Sequence, residues 1–299
     1  MEKMLRDKKI IALFILPALL LFVIFIPVPL VSSLVLSLYK WNLLSPPRFT
    51  GFSNFIRMFT LDEILHKSVA NTFVYLSLSV LMQIPLAYVL AILLTRGNRG
   101  EKGFRNIIYL PVVISGTAVS LVFYFIYHPE IGIINNFIRL FGNKSFNYAW
   151  LFEPKTAMIA ICVAVAWQFV GHHMIIYIAG ISGISQELVE AAKIDGANAA
   201  QVVVHVITPL MKPVINVSLV LITTSSLKAF DSIYVMTQGG PFHSTEVIAS
   251  HMYSRAFLNL DYGYGCAIGL MLFLLCIIFT LFWSRIFGTK KGQEDSLTI

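Results

Sequence analysis

Six long, predominantly apolar runs are the feature that most restricts how this chain can fold. They cover Ile10–Leu30, Val69–Leu94, Ile107–Tyr127, Ala157–Gly180, Val214–Phe230 and Cys266–Phe287. A helix of about 20 residues crosses the roughly 30 Å hydrocarbon core of a bilayer, because each residue adds about 1.5 Å. The sequence therefore predicts an all-α integral membrane protein with six transmembrane helices, forming a single domain over residues 1–299.

The composition excludes a soluble enzyme. Apolar residues make up 57% of the chain and charged residues only 12%, whereas a soluble chain carries about 25% charge. The 22 Lys and Arg outnumber the 15 Asp and Glu, but they lie in segments between the apolar runs and not along one face, which argues against nucleic-acid binding. Cys162, Cys266 and Cys276 all fall in apolar segments and are predicted to be packed thiols, not disulfides or metal ligands.

The distribution of basic residues predicts the orientation. Six spans place both termini on one side of the membrane, and thirteen of the 22 Lys and Arg lie on that side. The contrast is sharpest in the short segment 96–105. Because cytoplasmic loops are enriched in Lys and Arg, both termini are predicted to be cytoplasmic. The first run is interpreted as an uncleaved helix; a removable signal peptide is the alternative.

A polar segment at residues 181–212 separates the fourth and fifth spans, on the predicted cytoplasmic side. Ser185 offers an N-cap to a helix that ends at Gly196, and a second helix is predicted over Ala199–Ile207, ended by Pro209. The segment is thus expected to form a helix, a glycine turn and a helix. A hairpin that merely connects two spans is an equally good interpretation of the periodicity.

A motif in this segment resembles the EAA pattern of permease subunits from binding-protein-dependent ABC importers. The matching residues are Glu190, Ala191, Ala192, Gly196, Val206, Thr208 and Pro209. Val206 and Thr208 depart from the usual Ile and Leu of that pattern. Two further stretches, at 49–55 and 237–241, resemble the carbohydrate branch of the family, which includes the maltose and glycerol-phosphate permeases.

The resemblance implies a function and a set of partners. It implies half of the translocation pathway of an ATP-driven importer for a sugar or polyol, in the cell membrane of a prokaryote. The implied partners are a second related permease, two cytoplasmic ATP-binding subunits, an extracytoplasmic solute-binding protein and the lipid bilayer. The coupling residues that it implies are Glu190, Ala191, Ala192, Asp195 and Gly196.

The sequence contains no chemistry that would make the chain an enzyme. A glycine-rich phosphate loop followed by Lys and Ser or Thr is absent, and the adjacent His172 and His173 point about 100° apart on a helix, which does not suit one metal ion. We read this pair as polar residues near the inner mouth of the pathway. No catalytic residue, cofactor or metal is therefore expected, and ATP hydrolysis is expected only in partner subunits.

Polar residues inside the apolar runs are the best guide to a solute path, because lipid penalises them. The candidates in the fourth and fifth runs are Trp167, Gln168, Thr224, Ser225 and Ser226. Packing or hydrogen bonding to the local backbone is the alternative for each. Lys228 and Asp231, at the outer end of the fifth run, are close enough in sequence to pair with each other.

Two other classes of function stay open. An ion-coupled secondary transporter would usually need carboxylates within the spans, and none is present. An integral membrane transferase would need a cluster of His, Asp or Glu at one membrane face. The only dense acidic cluster in the sequence is the segment at 181–212, which carries the EAA motif.

Overall fold

The structure is a computed structural model that describes residues 8–95 and 100–287. Fifteen α-helices, two π-helical turns and one short hairpin occur in that part of the chain. The α-helices are α1 Lys8–Phe25, α2 Pro27–Leu36, α3 Ser53–Thr60, α4 Glu63–Leu93, α5 Glu101–Val113, α6 Gly116–Ile126, α7 Ile133–Leu140, α8 Ala157–Ser182, α9 Gln186–Ile194, α10 Ala199–Val202, α11 Thr208–Leu210, α12 Lys212–Leu227, α13 Asp231–Met236, α14 Ile248–Tyr253 and α15 Tyr262–Phe287. The π-helical turns are Val203–Ile207 and Ser254–Leu258, and the hairpin strands are β1 Tyr39–Lys40 and β2 Arg48–Phe49.

Helices with the length and composition of membrane spans confirm the predicted fold class. Four stretches qualify directly, at Leu13–Leu36, Glu63–Leu93, Pro154–Ser182 and Tyr262–Ile286, and two bent helix pairs raise the number to six if each pair is one span. Many large apolar side chains on these helices are exposed. Lipid and partner subunits are the environments in which such surfaces are stable.

The third predicted span, Ile107–Tyr127, is not one continuous helix. It divides into α5 and α6, whose axes are bent by 97°. Ile114 and Ser115 take extended backbone angles, and the Ser115 hydroxyl accepts a hydrogen bond from the backbone N–H of Ala118 at 3.2 Å. The serine thus caps a new helix after the break, a signal that a search for apolar runs does not register.

The second helix of the 181–212 segment also differs from its prediction, because Pro209 does not end it. Helical structure continues from α10 through the π-helical turn to α11, and the 66° bend comes at Met211, before α12. Pro209 lies at the first turn of α11, where its missing N–H is tolerated. The Thr208 hydroxyl donates to the Val203 carbonyl across the wider turn at 2.8 Å. α12 ends at Leu227, three residues earlier than predicted.

The described residues form two compact units. The first draws on the ranges Met1–Glu63 and Met252–Phe273. In it, the Arg57 guanidinium contacts the Asp261 carboxylate at 2.7 Å, and the Tyr264 hydroxyl donates to Asp62 at 2.8 Å. The backbone at position 263 lies so close to Tyr39 that only glycine fits, since a Cβ there would lie 1.8 Å from the Tyr39 carbonyl oxygen. These contacts fix the start of α15 against the hairpin and α3.

The second unit draws on the ranges Ile64–His251 and Leu274–Ile299, and α8 supplies much of its buried surface. Gly171 lets α8 approach α5 closely: a Cβ at this position would lie 2.2 Å from the Ile108 carbonyl oxygen. Side chains of α8 on either side of Gly171 join two separate apolar clusters. The helix is therefore held along most of its length.

A buried carboxylate organises the connection between α13 and α14. Glu246 is only 7% exposed, and its two oxygens contact the Nδ1 atoms of His243 and His251. Asn71 on α4 donates to the backbone carbonyls of His243 and Glu246, each at 2.9 Å. Burial would raise the pKa of Glu246, but the hydrogen bonds from His251 and His243 outweigh that effect and hold it below its ordinary value of 4.5.

Gly171→Ala is expected to destabilise the second unit by about 2 kcal/mol or more, because the new methyl group meets backbone that cannot rotate away. The measurement is the thermal unfolding temperature of the full chain in detergent. Gly103→Ala in α5 is the matched control, since nothing lies within 4 Å of a Cβ there. Equal unfolding temperatures for the two variants would contradict the close approach.

Glu246→Gln is expected to lower the unfolding temperature in a pH-dependent way. A carboxyl group whose folded pKa is depressed stabilises the fold above its unfolded pKa, and that contribution is lost as pH falls through the folded pKa. The gap between wild type and variant should therefore be largest near pH 6 and shrink below pH 4.5. Glu153→Gln, at an exposed carboxylate, should show no such gap. A gap that does not change with pH would refute this account of the carboxylate.

Candidate functional site

A cavity of about 360 Å³ lies between helices of the second unit. Helices α4, α6, α8, α12 and α13 contribute its walls. The polar lining includes Gln83, Ser120, Gln168, Ser225 and Asp231. Phe169 and Phe230 add aromatic surface. Hydroxyl and amide groups beside aromatic faces suit a solute with many hydroxyls and an apolar ring face.

Three of the five side chains predicted for the solute path line this cavity: Gln168, Ser225 and Ser226. Gln168 is also a structural residue, because its amide donates to the Ile114 carbonyl at 3.0 Å, at the break between α5 and α6. The Ser225 hydroxyl donates to the carbonyl of Ile222 in its own helix at 3.0 Å. Its oxygen can still accept a hydrogen bond from a solute.

The other two predicted side chains lie elsewhere. Trp167 packs against Phe123, with ring centroids 5.4 Å apart, and does not line the cavity. Thr224 donates to the Val220 carbonyl of its own helix at 2.8 Å and is likewise not part of the lining. Neighbours on a helix point about 100° apart, so a polar cluster in sequence cannot place all its members on one face.

Sequence reasoning missed several residues of the lining. Gln83 on α4 is 3% exposed, and His173 on α8 is 4% exposed. The His173 Nδ1 atom is buried without a hydrogen-bond partner among the described residues. His172 and His173 both line the cavity, and their position near the inner mouth of the pathway stays a prediction. The sequence did contain a signal for Gln83: a carboxamide inside an apolar run is costly in lipid, which indicates that it faces a polar environment.

Lys228 and Asp231 also line the cavity. They are close enough in sequence to pair with each other, but no ion pair within 4.0 Å joins them in the part of the chain that the structure describes. The helix break at Ala229 and Phe230 separates them: Lys228 is the C-cap of α12 and Asp231 is the first residue of α13.

The segment 181–212 projects an exposed helix, α9. Its N-cap is Ser185, whose hydroxyl accepts a hydrogen bond from the Glu187 N–H at 3.3 Å. Glu190 is exposed and accepts a hydrogen bond from the Gln186 amide at 2.7 Å. The helix ends at Ile194 with Asp195 as its C-cap, and Gly196 follows with a φ of +87°, a conformation that favours glycine. Asn198 and Gln201 then form a capping box that starts α10.

The far end of the same segment is anchored in the helix bundle. Met211 is fully buried in a cluster with Tyr177 and Met174 of α8. The Thr208 hydroxyl lies 2.8 Å from the Tyr88 hydroxyl of α4. An exposed helix is thus joined, through about 15 residues, to the two helices that also line the cavity.

Comparisons with known proteins agree with this architecture. Residues 83–289 match the family described as the binding-protein-dependent transport system inner membrane component. The chain is 33% identical to the probable ABC transporter permease protein YurN of Bacillus subtilis, over 98% of this chain and 100% of that protein. It is 31% identical to the diacetylchitobiose uptake system permease protein NgcF of Streptomyces coelicolor, over 92% of this chain and 82% of that protein.

A solved structure extends the likeness to the fold. The crystal structure of a bacterial ABC transporter involved in the import of the acidic polysaccharide alginate contains a chain that superposes with a TM-score of 0.83. That chain is 25% identical, and the match covers 95% of this protein and 96% of that chain. The polar cavity, the helices around it and the matched sequence therefore lead to one conclusion: the chain belongs to the family of inner membrane components of binding-protein-dependent ABC transport systems.

Proposed function

We propose that this permease forms half of the translocation pathway of an ATP-driven importer for a sugar or related polyol. The observation that carries the proposal is the continuity of α8: it lines the polar cavity with Gln168 and ends three residues before the cap of the exposed helix α9. A force on α9 therefore reaches the cavity through one regular helix. We place both termini in the cytoplasm of a prokaryotic cell, which puts α9 on the side where ATP is available.

The lining of the cavity and the similar proteins both support a sugar as the substrate. Neutral amides, hydroxyls and aromatic rings can bind the hydroxyls and the apolar face of a sugar ring. NgcF is named for the uptake of diacetylchitobiose, and the structurally similar transporter imports alginate. An ion-coupled transporter and a membrane transferase are the alternatives, and membership of a binding-protein-dependent family favours neither.

The proposal requires partners. The pathway would be completed by a second, related permease, and ATP would be hydrolysed by two cytoplasmic ATP-binding subunits. A solute-binding protein would deliver the sugar to the extracytoplasmic segments at 39–68, 128–156 and 231–265. The description of the family as binding-protein-dependent supports this last partner.

We assign the contact with the ATP-binding subunits to α9 and the turn after it. Glu190 would pair with a basic residue of the partner, and the small side chains of Ala191 and Ala192 would allow a close approach. Asp195 and Gly196 would end the helix, so that the chain turns back toward the bundle. The exposed surface of α9, including Leu188 and Ile194 at 50% and 86% exposure, is consistent with a partner on this side.

Glu190→Lys is expected to abolish stimulation of ATP hydrolysis by the loaded binding protein, because a like charge would face the basic residue of the partner. The measurement is ATPase activity of the complex reconstituted in liposomes. Gln186→Leu removes only the hydrogen bond to Glu190, worth a few tenths of a kcal/mol in an exposed helix, and should keep the stimulation. Equal losses in both variants would show that helix stability, not docking, is affected.

Gln83→Leu is expected to reduce sugar uptake about fivefold, since one neutral hydrogen bond is worth about 1 kcal/mol. The readout is the initial rate of uptake into liposomes at subsaturating sugar. Ser77→Ala, on the same helix but outside the cavity and bonded to the Phe73 carbonyl, is the control and should retain the wild-type rate. An unchanged rate in Gln83→Leu would remove this cavity from the solute path.

A further inference from the structure

We infer that Lys228 and Asp231 select a neutral solute by binding two neighbouring hydroxyl groups between them. The inference rests on the proposed function and adds to it the charge of the substrate. It starts from the observation that an ammonium and a carboxylate line one cavity without forming an ion pair in the described part of the chain.

Each charge is held by the end of a helix. Lys228 is the C-cap of the 16-residue helix α12, where the partial negative charge of the carbonyl groups favours a cation. Asp231 lies against the N-terminus of α6, since its Oδ2 atom is 3.9 Å from the position that a Cβ on Gly116 would take. The partial positive charge of that terminus favours a carboxylate. Each charge therefore has a helix end of favourable sign beside it, without an ion pair between the two groups in the described part of the chain.

One side chain of the lining carries an unpartnered polar atom. His173 is 4% exposed, and its Nδ1 atom has no hydrogen-bond partner among the described residues. A buried donor or acceptor without a partner is costly, so a bound molecule that supplies one would be favoured. This observation is independent of the two charges and also points to a ligand.

The chemistry of the charged pair defines the ligand. A carboxylate accepts hydrogen bonds only, and an ammonium donates them only. Two neighbouring hydroxyls of a sugar ring satisfy both, because one donates to Asp231 and the other accepts from Lys228. With one positive and one negative side chain, and with His172 and His173 counted as neutral, the lining has no net formal charge. An acidic sugar would gain from Lys228 and lose against Asp231, so nothing would offset the loss of water from its carboxylate. A neutral sugar is therefore preferred.

The charged pair and the neutral amide of Gln168 lie beside the same helix break. Gln168 donates to the Ile114 carbonyl at 3.0 Å, and the Asp231 Oδ2 atom lies 3.9 Å from the position of a Cβ on Gly116, two residues later. Both side chains line the same cavity. A sugar held by the pair would therefore lie beside this amide as well.

The test measures binding of sugars to the purified transporter complex without ATP or binding protein. The neutral probes are cellobiose, lactose, maltose and diacetylchitobiose, and the acidic probe is cellobiouronic acid, which differs from cellobiose by one carboxylate. We expect wild type to prefer cellobiose to cellobiouronic acid. Lys228→Met and Asp231→Asn should each weaken binding of the preferred neutral probe about tenfold, the usual effect of losing a hydrogen bond to a charged group.

The decisive readout is the ratio of the affinity for cellobiose to the affinity for cellobiouronic acid. Asp231→Asn leaves a net positive lining and should shift the ratio toward cellobiouronic acid, whereas Lys228→Met should shift it the other way. Lys102→Met, an exposed lysine outside the cavity, is the control and should leave the ratio at the wild-type value.

Each contrary result has a defined meaning. If the wild-type complex transports sugar with ATP but both cavity variants keep the wild-type ratio, this inference is wrong and the proposed function stands. Failure to bind any neutral probe would also overturn the inference. Absence of ATP-driven sugar uptake by the wild-type complex would overturn both proposals.

Discussion

The close approach of α8 to α5 at Gly171 is the contact on which the rest of the larger unit depends. Without a Cβ at this position, the backbone of α8 can lie against the Ile108 carbonyl. One turn earlier on the same helix, Gln168 donates to the Ile114 carbonyl, where α5 ends before the break. Between membrane helices, close packing and hydrogen bonds of this kind replace the hydrophobic effect, because lipid is as apolar as the side chains. The pair of contacts therefore sets the position of α8, and with it one wall of the cavity.

The cavity and the exposed helix α9 share the two helices that support them. α4 and α8 line the cavity with Gln83 and Gln168, and the same helices bury Met211 and contact Thr208 at the end of the 181–212 segment. A rotation of the segment would therefore have to move α4 and α8 or break these contacts. Packed interiors respond to such a force by switching arrangement and not by gradual deformation, because they contain few voids. This gives a physical route by which a force on α9 would alter the solute path.

Helix ends carry much of the polar chemistry in this protein. Ser115 and Ser185 cap helices with their hydroxyls, Asn198 and Gln201 form a capping box, and Lys228 and Asp231 lie at helix termini of the favourable sign. Every one of these ends has backbone groups without intrahelical partners, which attract polar or charged side chains. In a chain with only 12% charged residues, the breaks between helices thus stabilise polar and charged groups, two of which also line the cavity.

The sequence by itself determined the fold class and the local helix signals. Apolar run length identified the membrane helices, and the Ser185 cap and Gly196 turn identified α9, because these properties depend on neighbours in the chain. Only the tertiary structure decided which polar residues meet. Gln168, Ser225 and Ser226 line the cavity while Trp167 and Thr224 do not, Gln83 joins them from another helix, and Lys228 and Asp231 are separated by a break. The physical reason is that the rotation of a helix about its axis, and the place where it bends, are fixed by the surfaces it packs against, and a single run of apolar residues does not contain that information.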